Sequence, residues 1–201
     1  MRKKLCVLFL SLALCAGLAV PAGAYDMGHA DQLRIVSCGD DHTAVLKGDG
    51  TLWTMGHNGR GQLGNGSAEQ SAAPVKVLDS VASVTCGRYE TAAIQTDGSL
   101  WTWGLTQNRS LGQSPGNVLN ESLGSMNQTL PFRVMEDVAA VACGWWHTAA
   151  VRTDGSLWLW GDNRAGQLGN GIVGDQPSGH SWTDSVAGRP NTEPEPETLF
   201  H

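Results

Sequence analysis

One motif is written three times along this chain, and a sequence built that way folds as a row of like units instead of one irregular core. The first copy runs Cys38-Gly39-Asp40-Asp41-His42-Thr43, Asp49-Gly50, Trp53-Thr54-Met55-Gly56 and Gly61-Gln62-Leu63-Gly64. The second runs Cys86-Gly87-Arg88-Tyr89-Glu90-Thr91, Asp97-Gly98, Trp101-Thr102-Trp103-Gly104 and Leu111-Gly112. The third runs Cys143-Gly144-Trp145-Trp146-His147-Thr148, Asp154-Gly155, Trp158-Leu159-Trp160-Gly161 and Gly166-Gln167-Leu168-Gly169. In every copy the Trp of the Asp-Gly-x-Leu-Trp segment follows the Cys by 15 residues, and the Gly that closes it follows by 18. The Cys itself advances by 48 residues and then by 57.

Each copy reads as short strands. Apolar residues precede the Cys at fixed offsets (Leu33 and Val36, Val81 and Val84, Val138 and Val141), in an alternation that predicts a strand with one buried face. A second run, Thr43 to Lys47 and its equivalents, leads into Asp-Gly, a hairpin signal because Gly accepts positive φ. A third run follows, with Trp53 and Met55, Trp101 and Trp103, or Trp158 and Trp160 on one face and Leu52, Leu100 or Leu157 on the other. These five tryptophans recur and are assigned to the core. Pro74-Val75-Lys76-Val77 and Pro131-Phe132-Arg133-Val134 fit an edge strand, where Pro is tolerated. Three or four antiparallel strands in about 50 residues make one blade of a β-propeller.

The start of the chain reads as an export signal. Arg2, Lys3 and Lys4 precede an apolar stretch from Leu5 to Val20, and Ala22-Gly23-Ala24 supplies a cleavage site, so 1–24 is expected to be removed after Ala24. That implies a secreted or cell-surface protein of bacterial type, with 25–32 a short linker and no membrane attachment after cleavage. The remaining 177 residues carry 10 Lys plus Arg against 19 Asp plus Glu, a balance that argues against nucleic-acid binding. Cys38, Cys86 and Cys143 occupy one repeat position, which suits a buried small hydrophobe better than a disulfide framework.

The pattern V-x-x-V-x-C-G-x-x-H-T, D-G-x-L-W-x-W-G-x-N and G-Q-L-G resembles the regulator of chromosome condensation repeat, and residues 33–171, about 69% of the chain, carry it. The resemblance implies an all-β fold of propeller blades from a ring that is usually seven-bladed. It also implies a protein-binding platform: the founding member exchanges nucleotide on a small GTPase and binds chromatin, and some secreted bacterial relatives inhibit β-lactamases. Three repeats are expected, at about 33–80, 81–137 and 138–173, followed by a polar tail over 174–201 that is either disordered or the start of a truncated blade. The second copy departs from the pattern. It has Glu90 for His42 and His147, Thr106 for Asn58 and Asn163, Arg109-Ser110 for Gly-Gln, and a nine-residue insertion within Gln113 to Thr129. Three blades do not close a ring of about four to eight. The chain is therefore expected to be a piece of a longer propeller or to complete a ring by self-association, and its ending inside a repeat favours the former.

No catalytic constellation stands out. Cys38 with His42, and Cys143 with His147, have a spacing that metal ligands use, but Glu90 breaks it, and a His held by backbone hydrogen bonds at a strand start is the better reading. Asp49-Gly50-Thr51-Leu52-Trp53 is close to the sialidase Asp box but lacks its spacer, and Asp49, Asp97 and Asp154 read as turn residues, without the paired carboxylates glycosidases need. Neither cofactor nor metal is expected. The candidate contact residues are those in the turns after each Cys, where the copies differ: Asp40, Asp41, Arg88, Tyr89, Trp145 and Trp146. The expectation is an exported, non-catalytic scaffold that binds an unknown protein partner through these loops. The alternative is a cell-surface carbohydrate-binding or glycan-processing module that uses exposed Trp.

Overall fold

The computed structural model describes residues 33–105, 127–171 and 173–174, and there the chain is strands and turns. The expected leader at 1–24 and linker at 25–32, Thr106, Arg109 and Ser110, most of the insertion and the expected tail beyond Gly174 lie outside the described residues. Among the described residues eleven strands form three antiparallel sheets. β1 (Leu33–Cys38), β2 (His42–Lys47), β3 (Leu52–Gly56) and β4 (Ser71–Leu78) pair in chain order, as do β5 (Val81–Cys86), β6 (Glu90–Gln95), β7 (Leu100–Leu105) and β8 (Asn127–Met135). The third sheet holds β9 (Val138–Cys143), β10 (His147–Arg152) and β11 (Leu157–Gly161). The Pro-bearing segments are the outermost strands β4 and β8, so neither ring occupies a central ladder.

The Asp-Gly hairpin is closed by its own side chains. Asp97 Oδ1 accepts from the Ser99 amide at 2.9 Å and from the Ser99 hydroxyl, and Ser99 Oγ accepts from Trp101 Nε1 at 2.9 Å. The relay recurs as Asp49–Thr51–Trp53 and as Asp154–Ser156–Trp158. These hydrogen bonds hold all three carboxyls below the usual carboxylate range. Gly50, Gly98 and Gly155 have φ of 82–87°, the left-handed conformation the turn requires. The relay also corrects the core assignment of the tryptophans. Trp103 and Trp160 are buried, whereas Trp53, Trp101 and Trp158 are half-buried, with their indole N–H spent on the hairpin hydroxyl.

Side-chain alternation decides which neighbour each residue meets. In β6, Thr91 and Ala93 face the first blade and Glu90 and Ala92 face the third, so the strand is buried on both sides and takes small residues in its middle. Two apolar clusters result, one per junction. Leu46, Leu52, Val84 and Trp103 are central to the first, and Leu100, Val134, Ala150 and Trp160 to the second. The inner strands β1, β5 and β9 lie side by side. There the amide of Cys86 donates to Ser37 Oγ at 3.0 Å, and that of Cys143 to Thr85 Oγ1 at 3.5 Å.

Cys86 meets the expectation of a buried thiol, and burial pushes its pKa up to about 11. Cys38 does not. It is exposed because it lies on the face of the first blade that the described residues leave uncovered.

The junctions are also latched by polar groups. Thr91 Oγ1 donates to the carbonyl of Gln62 at 2.9 Å, so it must accept from His42 Nε2, also at 2.9 Å. Trp103 Nε1 donates to the same Gln62 carbonyl at 2.9 Å. The Gly61-Gln62-Leu63-Gly64 turn is held for this by Asn58, whose Oδ1 accepts from the Leu63 amide, and by the Gln62 side chain, whose Oε1 accepts from the Arg60 amide. His42 is thus held by a side chain of the next blade, where the sequence suggested backbone hydrogen bonds at a strand start. In the second blade Glu90 takes over the role, with Thr148 Oγ1 donating to its Oε1 at 2.9 Å.

Desolvation by burial lowers the His42 pKa from 6.5 to about 4, so the ring is neutral in the folded protein at pH 7. Between those two values the unfolded chain binds a proton that the folded chain does not. The stability His42 contributes is therefore complete above pH 6.5 and lost as pH falls toward 4, by up to about 3 kcal/mol. Urea unfolding at pH 7 and at pH 4.5 should show this loss, and His42→Gln, which retains an N–H donor for Thr91, should make it smaller.

Candidate functional site

The three turns that follow the cysteines of the repeat are built alike. In each, the amide of the first Gly (Gly39, Gly87, Gly144) donates to the carbonyl of the residue three further on, at 2.7–2.9 Å. The carbonyls of Asp41, Tyr89 and Trp146 accept the amides of His57, Leu105 and Asp162 at 2.7–2.9 Å. That second bond is possible because Gly56, Gly104 and Gly161 turn away at φ of 106–114° against the backbone of those same loops. The backbone is therefore constant, and each blade offers two turn side chains in equivalent places.

Five of the six candidate contact residues converge. The guanidinium of Arg88 lies 4.7 Å from the ring centre of Trp145, 5.0 Å from Tyr89 and 5.1 Å from Trp146. Arg88 Nε donates to Asp40 Oδ2 at 3.0 Å. Tyr89 and Trp146 meet edge to face, with centroids 5.9 Å apart. One arginine of the second blade thus ties a carboxylate of the first to two indoles of the third. Trp145 remains 63% exposed, a large apolar ring turned outward. Asp41 stands apart: it is exposed, and its carboxylate acts on His42 of its own blade instead of on Arg88.

The sequence located the turns but not the bridging role of Arg88, because residues 48 and 57 positions apart give no local signal of contact. Thr51, Ser99 and Ser156 were also missed; their recurrence directly before Leu-Trp was the available sign. Among the described residues no group of three or more His, Cys, Asp or Glu side chains could hold a metal ion. His147 folds over Gly144, and the thiol of Cys143 is pushed well up by burial; in the first blade His42 Nε2 is bonded to Thr91 Oγ1 across the junction.

Sheets of short antiparallel strands stacked about a line of inner strands are blades of a β-propeller. The chain belongs to the regulator of chromosome condensation (RCC1) repeat family, whose models match residues 34–62 and 138–167, and 49–94 and 97–151. The Ultraviolet-B receptor UVR8 of Arabidopsis thaliana is 33% identical over 153 residues, which are 73% of this chain and 33% of that protein. The human X-linked retinitis pigmentosa GTPase regulator is 33% identical over 145 residues, 67% of this chain and 13% of that one. The chain thus spans a third or less of the length of these relatives. Among solved structures, Prp20p of Saccharomyces cerevisiae superposes with a TM-score of 0.64 at 22% identity, covering 72% of this chain and 36% of its own. Human WBSCR16 gives 0.58 at 24%, covering 68% and 34%. Both likenesses concern the fold.

Cation–π contacts at partly exposed sites contribute about 0.5–1 kcal/mol each. Arg88→Met, which keeps most of the stem and removes the charge, should lower the unfolding free energy by about 1 kcal/mol in urea titration. It should also alter tryptophan emission, because Trp145 and Trp146 lose the cation over their rings.

Proposed function

We propose that this chain is an exported propeller-type scaffold that binds another protein, without catalysis, through the turn face bearing Asp40, Asp41, Arg88, Tyr89, Trp145 and Trp146. The observation that carries the reading is the convergence of side chains from three blades on Arg88, with Trp145 left exposed beside it. Aromatic residues and arginine dominate binding energy at protein interfaces, and here they are held in place before any partner arrives. Caging reduces the ordering that binding would require of Arg88, Tyr89 and Trp146. The solved propeller Prp20p is described with Gsp1p and histones, so a protein partner has a counterpart on this fold. Export rests on the leader-like segment at 1–24.

The test is affinity capture from the medium of the producing cells, with the Trp145→Ala, Trp146→Ala double variant as the comparison. One protein retained by the native chain at a fixed ratio, and at least tenfold depleted on a folded variant, is the expected result. Equal retention by both would remove the turn face from the site. Retention of cell-wall polysaccharide by the native chain, lost in the variant, would replace the protein-binding reading with carbohydrate recognition by Trp145.

A further inference from the structure

The guanidinium of Arg88 is only partly used by its own chain. Its Nε donates to Asp40 Oδ2 at 3.0 Å, and its carbon lies 4.7–5.1 Å from the ring centres of Trp145, Tyr89 and Trp146. A ring face attracts the cation but offers no lone pair in line with an N–H. Among the described residues nothing accepts a hydrogen bond from Arg88 Nη1 or Nη2. The side chain is 29% exposed, and water reaches these terminal nitrogens. Three blades thus hold one arginine in place and leave its outer fork unused.

Resting on the protein-binding reading above, we propose that this fork is a carboxylate receptor. An Asp or Glu side chain of the partner takes Nη1 and Nη2 together, while an apolar residue beside it packs on the exposed ring of Trp145. The fork suits a carboxylate because two parallel N–H donors meet two oxygens, a pairing that lysine cannot make. The guanidinium is already ordered by Asp40 and the rings, so little side-chain freedom is lost when the carboxylate binds.

The neighbours of Arg88 set the selectivity. Asp40 offsets its charge, so recognition depends on the direction of the N–H groups more than on attraction at a distance. Asp41, exposed on the same turn as Asp40, adds a negative charge to the rim. A run of acidic residues or a phosphate dianion is repelled there, and a single carboxylate is repelled less. Trp145, 63% exposed, supplies the apolar half of the contact. The matching feature on the partner is therefore one acidic residue flanked by an apolar one.

The experiment is a titration of the purified chain with end-blocked peptides that lack tryptophan, read by the emission of its own tryptophans. The probes are Gly-Glu-Leu-Gly, Gly-Gln-Leu-Gly and Gly-Lys-Leu-Gly, each also with the central pair reversed. The Glu peptide is expected to bind about tenfold more tightly than the Gln peptide, the worth of a charge-assisted hydrogen-bonded pair. Arg88→Lys, which keeps the charge and loses the fork, should cut that preference to about twofold. A purely structural role for Arg88 would instead weaken both peptides alike and leave the preference intact. Asp41→Asn should tighten the Glu peptide. No binding of the Glu peptide, equal binding of Glu and Gln, a preference for Lys, or a Glu preference that survives Arg88→Lys would overturn the proposal. The two readings fail separately. A protein captured through Trp145 and Trp146 but held equally by Arg88→Lys would keep the protein-binding reading and remove the receptor. A Glu preference that depends on Arg88, with no protein captured, would keep the receptor and remove the partner from the medium.

Discussion

The hydroxyl of Thr91 is the point on which the stacking of the first two blades turns. It is buried, and it accepts from one group of the first blade while donating to another. A threonine methyl also packs where a serine would leave a gap, and the β-branch suits a strand. The Gln62 carbonyl that receives its proton takes a second one from Trp103, so the largest side chain of the junction is both packed and oriented. A buried network of this kind leaves few alternative registers, because a slip of one residue would turn every member to the opposite face.

Much of this architecture was legible in the sequence for a simple reason. The repeat states the same local solution three times, and chance does not place Cys, Asp-Gly, Trp and Gly at the same offsets in three copies. The strands, the hairpins and the edge placement of Pro74 and Pro131 all follow from period-two alternation and turn chemistry. What sequence reading missed lies between repeats. A histidine four residues after a cysteine looks like a strand-start residue or a ligand. Only the neighbouring blade shows that it is half of a hydrogen-bonded pair 49 residues apart. For the same reason Glu90 looked like a break in the pattern, although it performs the histidine's task with the polarity reversed, accepting where His42 donates. Cys38 was misplaced because its burial depends on a neighbour, whereas Cys86 has one.

The candidate site depends on the same division between constant and variable parts. The turn backbone is fixed by two hydrogen bonds and a pair of glycines, so the three copies differ at positions 40–41, 88–89 and 145–146 over the same sheet geometry. In this chain those six positions carry two aspartates, one arginine and three aromatics, and the arginine gathers four of the others around it. The face is acidic at the first blade and aromatic at the third.

The alternation along β6 has a further consequence. Ala92 and Ala93 are neighbours in the chain, yet one lies in the seam with the third blade and the other in the seam with the first. A change at either is felt across one seam only. In a stack where stability is a sum over blades and the seams between them, each seam can then diverge on its own. The two seams of this chain have already done so, one closed by a neutral imidazole and the other by a carboxyl side chain, while the strand between them kept its shape.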